Sequence, residues 1–191
     1  MIKKVRKKYI LEGEQMRKVK LFIATSLDGY IADADGSVHW LEGQGDSHED
    51  VDVYSEFVKD INTILMGWNT YHQVITELSP NEWIYSDFST YVFTHRQCSS
   101  TENVRFINEN PVDFIKKLRE EPGKDIWICG GARLIQQLVC EDFIDEYYIT
   151  IIPILLGSGV RLFEKGEREI KLRLLWTQSY NGMTDLVYER R

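Results

Sequence analysis

The chain is poor in the residues that staple, ligate or kink a fold. It has three cysteines in 191 residues, Cys98, Cys129 and Cys140, an odd number with no paired spacing. That excludes a disulfide framework and a cysteine zinc site, and it fits a reducing compartment. The four histidines (His39, His48, His72, His95) are scattered without ligand-type spacing, so no metal is expected. No run reaches about 18 apolar residues, and no segment has the apolar core of a secretory signal, so neither a membrane span nor secretion is expected and a cytoplasmic location is. Neither GxGxxG nor GxxxxGK[ST] occurs, which removes the main support for a Rossmann or P-loop site. Residues 17–191 hold no internal repeat, low-complexity tract or linker.

What is present suits a globular domain: 43% hydrophobic and 28% charged residues. At this length a single domain should bury roughly 70% of its unfolded surface and stand without staples. The net charge of -7 is uneven. Residues 1–20 carry eight Lys/Arg against Glu12 and Glu14, a local +6, which leaves -13 on the rest. An acidic body repels nucleic acid and anionic membranes. The basic head is read as a solvated N-terminal extension, residues 1–16, with a nucleic-acid arm as the competing reading. Met16 is a candidate natural start, because the first strand begins just after it.

Apolar runs and helical periods alternate along the chain. Leu21–Ala24 reads as a buried strand, Asp28-Gly29 as a turn, Tyr30–Ala32 as extended, and 33–45 as a loop. Ser47 with Asp50 resembles a capping box opening a helix to about Lys59. Ile61–Met66 is a second buried strand. Asn69 is placed to cap the next helix, on which Tyr71, Val74, Ile75 and Leu78 share a face. Strands follow at 91–93 and 104–107, then a helix opened by Asn110-Pro111. A strand at 126–129, a helix carrying Leu134, Ile135, Leu138 and Val139, and a strand at 147–152 complete the alternation. Lys171–Tyr180 and Met183–Arg190 flank Asn181-Gly182, the strongest short hairpin signal. The pattern predicts an α/β fold with one mixed, mostly parallel sheet, helices on both faces and a C-terminal antiparallel hairpin.

Two junctions repeat one design of buried strand, glycine and helix start: Leu65–Thr70 and Ile128–Arg133. Helix N-termini offer free N–H groups, and glycine lets a phosphate approach the backbone. In a parallel sheet both lie at carboxyl ends of strands, where ligands bind in open α/β folds. Two such sites side by side suit a dinucleotide, with Thr70 and Arg133 as added donors. At either site alone, steric convenience explains the glycine as well.

The ordered set resembles a known family. Ala24–Ala32 (ATSLDGYIA), Asp35–Leu41, Met66–Tyr71 (MGWNTY), Tyr91–Thr94, Ile126–Arg133 and Asp145–Gly159 occur in the order seen in the reductase domain of riboflavin-biosynthesis deaminase/reductases, the RibD C-terminal type. These are relatives of dihydrofolate reductase. The resemblance covers about 19–191 and implies NADPH lying across the strand ends. Gly67, Asn69 and Thr70 would hold one side of the phosphates, and Gly130, Gly131, Ala132 and Arg133 the pyrophosphate. Thr94, His95 and Arg96 would sit near the adenosine ribose. Trp68 stands where the family usually has Arg, which suits the 2′-phosphate of NADPH. Either Arg96 substitutes, or NADH serves as well.

On the substrate side the resemblance points to Ser26, Asp28, Trp40, Asp52 and Tyr54. Hydride transfer also needs a proton, which a carboxylate in a dry site can relay. Asp28 and Asp52 are the candidates, with Glu49, Asp50 and Glu56 competing for the first-helix role. The bland alternatives are a turn residue for Asp28, a solvated helix charge for Asp52 and core filling for Trp40. A reductase of a pterin-like or pyrimidine-like heterocycle is expected, nearest to 5-amino-6-(5-phosphoribosylamino)uracil reductase. Few cationic anchors for a ribose phosphate are evident. Dihydrofolate reductase proper and a non-catalytic dinucleotide sensor are the rivals. A homodimer is expected, with Ile149–Leu156 as contact or as core.

Overall fold

The computed structural model describes residues 16–45, 52–164, 166 and 169–191. The extension at 1–15, the Ser47–Asp50 capping box and the competing Glu49 and Asp50 lie outside the described residues. Eight strands form one sheet. They are β1 (Val19–Ser26), β3 (Ile61–Gly67), β4 (Ser89–Phe93), β5 (Val104–Ile107), β6 (Asp125–Gly130), β7 (Glu146–Ile152), β9 (Leu172–Tyr180) and β10 (Met183–Arg190), in the order β5-β4-β3-β6-β1-β7-β10-β9. Pairs from β5 to β7 are parallel, and β10 is antiparallel to both β7 and β9. A second, two-stranded sheet joins β2 (Tyr30–Ala32) to β8 (Val160–Arg161). Two residues carry no periodicity, so β8 had no signal in the sequence.

Strands apolar on both sides need cover on both faces, and the core splits accordingly. On one face, α3 (Pro111–Glu120) and α4 (Ala132–Cys140) place Ile115, Leu118, Ile135 and Leu138 over Val19, Leu21, Ile126 and Ile128. On the other, α1 (Val53–Val58) sets Phe57 among Ile64, Met66, Val92 and Trp127, with Phe22 and Tyr148 packed against them. Among the described residues no helix is long and apolar enough to cross a membrane.

The described helix α1 has Asp52 as its N-cap, the carboxylate accepting from the Ser55 N–H at 2.8 Å. Two helix expectations are corrected. Asn69 does not cap α2 (Trp68–Gln73). β3 runs through Gly67, which pairs with Phe93, so the helix starts at once with extended Gly67 as its N-cap. The helix then widens into a π turn over Val74–Leu78, closed by Ser79 N–H to Val74 C=O at 2.8 Å. The wider turn rotates Leu78 off the apolar face, and it is exposed while Val74 is buried.

Three cations of the basic head belong to the domain. Arg17 donates to Leu118 C=O and Asn62, Lys18 pairs with Glu146 at 2.6 Å, and buried Lys20 reaches Asp125 at 2.9 Å and Glu146 at 3.6 Å. They close the amino ends of the central strands and are not an open cationic surface.

The opposite end is braced by Asp28. Its carboxylate accepts from Ser26 Oγ at 2.6 Å, Gly157 N–H at 2.7 Å and Leu156 N–H at 3.1 Å, while Ser26 Oγ also accepts from Tyr30 N–H. This ties the loop after β7 to the β1–β2 corner. The Ser26 hydroxyl, with the two N–H groups, holds the Asp28 carboxyl down at about 2. Nearby, the hairpin turn has φ of 46° at Asn181 and 75° at Gly182, the primed geometry that matches strand twist. Its Asn181 also accepts from Gln44 N–H at 2.9 Å through the backbone and from Gly45 N–H at 2.8 Å through the side chain. The loop ahead of α1 is thereby fastened to the hairpin.

Ile128→Ala should cost about 2–5 kcal/mol, because the side chain is fully buried and a cavity remains. Leu174→Ala on the exposed edge should stay within about 0.5 kcal/mol, both measured by urea unfolding. A carboxyl at about 2 in the fold and about 3.9 unfolded adds stability that is present above pH 4 and is lost as pH falls toward 2. Asp28→Asn should therefore flatten the fall in melting temperature between pH 5 and 2. Parallel curves for the two proteins would show that these bonds contribute nothing.

Candidate active site

The two strand–glycine–helix junctions come together because β3 and β6 are parallel neighbours. Gly131, at φ 94°, lies so close to Gly67 that a Cβ there would sit 3.2 Å from the Gly67 nitrogen. A Cβ on Gly130 would meet Thr70 Oγ1 at 3.1 Å. Both contacts would be tight, and the start of α4 has no side-chain cap at Gly131. Its first N–H groups are therefore left for a ligand.

The carboxyl end of β4 adds a third wall. Thr94 Oγ1 accepts from Arg96 N–H at 3.1 Å, and the Arg96 guanidinium lies over the Trp68 ring, 4.9 Å from its centroid. His95 Nδ1 meets Asn108 Oδ1. Gly67, Asn69, Thr70, Thr94, Arg96, Gly130, Gly131 and Ala132 thus share one end of the sheet. Arg133 does not join them: exposed, it lines a groove of about 630 Å³ between α3 and α4 with Asn110, Lys116, Glu141 and Glu164. At the second position of α4 its side chain leaves the helix on that flank.

The substrate-side candidates divide. Ser26 and Asp28 are spent on the brace, and a carboxyl ionised down to about 2 donates no proton at neutral pH. Asp52 caps α1, and its Ser55 hydrogen bonds hold its pKa below the usual carboxylate range. Trp40 is half-buried outside both core clusters, its indole N–H donating to Ser37 C=O at 3.1 Å, so it holds a turn and does not fill core. Tyr54 lies edge-on to Phe22 (6.2 Å) and Trp127 (5.9 Å), and burial pushes its pKa up. Cys129 donates to the Tyr85 hydroxyl, and burial pushes its thiol up to about 12, which rules out a thiolate.

Beside α1 a groove of about 300 Å³ is lined by Lys20, Asp52, Phe57, Tyr148, Trp176 and Gln178. Next to it in the sheet lies a carboxylate that the sequence reading missed, Asp185, buried and bonded to Thr150. Its signal was present: in the alternation of β10, Asp185 shares the inward side with Val187.

Comparison with known proteins places this geometry. The model of the RibD C-terminal domain matches residues 74–187. The uncharacterized protein YwjB of Bacillus subtilis (strain 168) is 43% identical over 180 residues, covering 91% of this chain and 98% of that protein. A crystal structure from Shewanella sp. PV-4, named for riboflavin biosynthesis, superposes with a TM-score of 0.78 at 31% identity, over 91% of this chain and 99% of that one. Two more distant structures share the fold. The Thermotoga maritima diaminohydroxyphosphoribosylaminopyrimidine deaminase/5-amino-6-(5-phosphoribosylamino)uracil reductase has a TM-score of 0.66 at 15% identity, over 92% of this chain and 57% of that one. Dihydrofolate reductase of Enterococcus faecalis, solved with NADP(H), has a TM-score of 0.60 at 16% identity, over 91% and 96%. The chain belongs to the RibD C-terminal domain family and has the dihydrofolate reductase fold.

Proposed function

We propose that the chain is a nicotinamide-dinucleotide-dependent reductase of a small heterocycle, pterin-like or pyrimidine-like, nearest in type to 5-amino-6-(5-phosphoribosylamino)uracil reductase. The observation that carries this is the contact of the Gly67 and Gly131 turns, with Arg96 on Trp68 beside them. The bound cofactor would supply a hydride. Gly67, Asn69, Thr70 and the 130–132 backbone would hold its phosphates, and Thr94 and Arg96 its adenosine end. Arg96 rests on the ring that replaces the family's usual Arg and so presents its planar fork beside α2, which supports NADPH over NADH. Asp28 and Asp52 then position structure and do not deliver the proton.

Their engagement favours a second reading, a dinucleotide sensor that binds cofactor without oxidising it. Dihydrofolate reductase proper has less support, since Asp52 at the head of α1 is spent on the cap. The proposal keeps the enzyme in the cytoplasm, away from nucleic acid and membranes, as a homodimer. Within Ile149–Leu156 the strand part offers no open edge, because β7 lies between β1 and β10. The edge strand β9, which exposes Leu174, Leu175 and Trp176, suits that role.

NADPH and NADH are titrated in parallel, following tryptophan quenching. NADPH should bind in the micromolar range. Arg96→Ala should weaken it about tenfold and leave NADH nearly unchanged. Gly131→Ala should weaken both, since the new methyl parts the two turns at a positive φ. Failure of both nucleotides to bind the unmodified protein sinks the reading. Binding of NADPH with no turnover across pterins and pyrimidines selects the sensor.

A further inference from the structure

The basic head is the part of the sequence that the reductase reading leaves without a role. Residues 1–15 carry Lys3, Lys4, Arg6, Lys7 and Lys8, interleaved with Ile2, Val5, Tyr9, Ile10 and Leu11. The place where this stretch joins the domain is well defined. Arg17 donates to Asn62 Oδ1 at 2.9 Å, Lys18 N–H donates to the Asp125 carboxylate at 2.8 Å, and Asp125 N–H donates to Asp60 C=O at 2.8 Å. The chain therefore enters β1 beside Asp60, and Asp60 lines the groove next to α1.

That groove, of about 300 Å³, has aromatic walls: Phe57 on α1, Tyr148 on β7 and Trp176 on β9, the last 37% exposed. Its rim is acidic. Asp52, Glu56 and Asp60 recur at every fourth residue on α1 and at its ends, and all three are exposed. Lys20 also lines the groove, but its ammonium is committed to Asp125 at 2.9 Å and Glu146 at 3.6 Å. Glu56 pairs with the exposed Lys59, and no ion pair reaches Asp52 or Asp60 among the described residues. Carboxylates four residues apart on one helix side repel one another. Cations laid alongside remove that cost.

We propose that residues 1–11 fold back into this groove as a strap, with their cations against Asp52, Glu56 and Asp60 and their apolar side chains against Phe57, Tyr148 and Trp176. The inference stands apart from the reductase reading. The spacing agrees: on an extended segment Lys4, Arg6 and Lys8 fall on one side about 6.6 Å apart, and carboxylates four residues apart on a helix rise by about 6 Å. The reach is ample. From Lys20 to the level of Gln178 is four residues of β1, about 13 Å, whereas fifteen extended residues span up to about 50 Å. Single exposed ion pairs are weak, so a free basic peptide would not stay. A tethered one faces the groove at an effective concentration on the order of millimolar, where several weak pairs suffice. The strap steadies α1, which is six residues long and buries only Phe57. It lies on the face of β9 and leaves that strand's outer edge open.

Carbodiimide coupling of the full chain, which joins a lysine amine to a carboxylate in contact with it, tests this by mass spectrometry. Mixing unlabelled and isotope-labelled protein separates links within one copy from links between copies. The Lys18–Glu146 link is the control for the fold. Lys3, Lys4, Lys7 or Lys8 should couple to Asp52, Glu56 or Asp60 within one copy, and about 0.5 M salt should cut the yield severalfold. Trp176→Ala should lower the same links about threefold and spare the control, because the apolar side of the strap loses its wall. Lys3→Gln, Lys4→Gln, Arg6→Gln, Lys7→Gln and Lys8→Gln combined in the full chain should speed hydrogen exchange of the 53–58 amides about fivefold and leave β6 unchanged. Links scattered over other carboxylates, links only between copies, or no links while the control forms overturns the proposal. So do links indifferent to Trp176→Ala, which would reflect charge without docking, and α1 exchange indifferent to the five substitutions.

Discussion

The molecule is organised around the close contact of two turns. Gly67 and Gly131 lie at the ends of adjacent parallel strands, and a Cβ on Gly131, which also has a positive φ, would press on the Gly67 backbone at 3.2 Å. This contact fixes how the starts of α2 and α4 sit relative to each other, and with them the wall formed by Thr94 and Arg96. Such an approach requires that both strands end at the same level, which the β3–β6 ladder enforces, and it favours glycine at 131, where φ is positive.

The parts of the fold legible in the sequence were those where one physical signal dominates. Short apolar runs such as Leu21–Ala24 and Ile126–Cys129 pack between two layers, and they became central strands. Asn110-Pro111 fixed a helix start through an acceptor side chain and a ring that needs no N–H. Asn181-Gly182 fixed the hairpin through two positive φ angles. The failures lie where local rules compete. Gly67 served both as strand end and as helix cap, so Asn69 was left within the helix. Val74–Leu78 kept a helical period in sequence but adopted a wider turn.

The candidate site was legible on the cofactor side and poorly so on the substrate side, for a physical reason. Glycines announce themselves, because what matters is the absence of a side chain. A carboxylate in sequence does not reveal what its oxygens are bonded to. Asp28 looked like a candidate acid and is a brace, held by one hydroxyl and two N–H groups from a loop more than 120 residues away. Asp185 carries no motif in the hairpin sequence, yet it is buried beside the Thr150 hydroxyl. Both distinctions depend on contacts of long sequence separation.

The hairpin turn has a consequence for how the chain can drift over evolutionary time. Asn181 is selected twice, once for a left-handed backbone and once for the carbonyl oxygen of its side chain, which receives the Gly45 N–H. Gly182 is favoured by its φ, and a Cβ there would also displace the Gln44 side chain. In an ordinary hairpin these two positions tolerate Gly, Asp or Asn in several combinations. Here a substitution at 181 also has to answer for the Gly45 N–H, although 136 residues separate Gly45 from Asn181 along the chain.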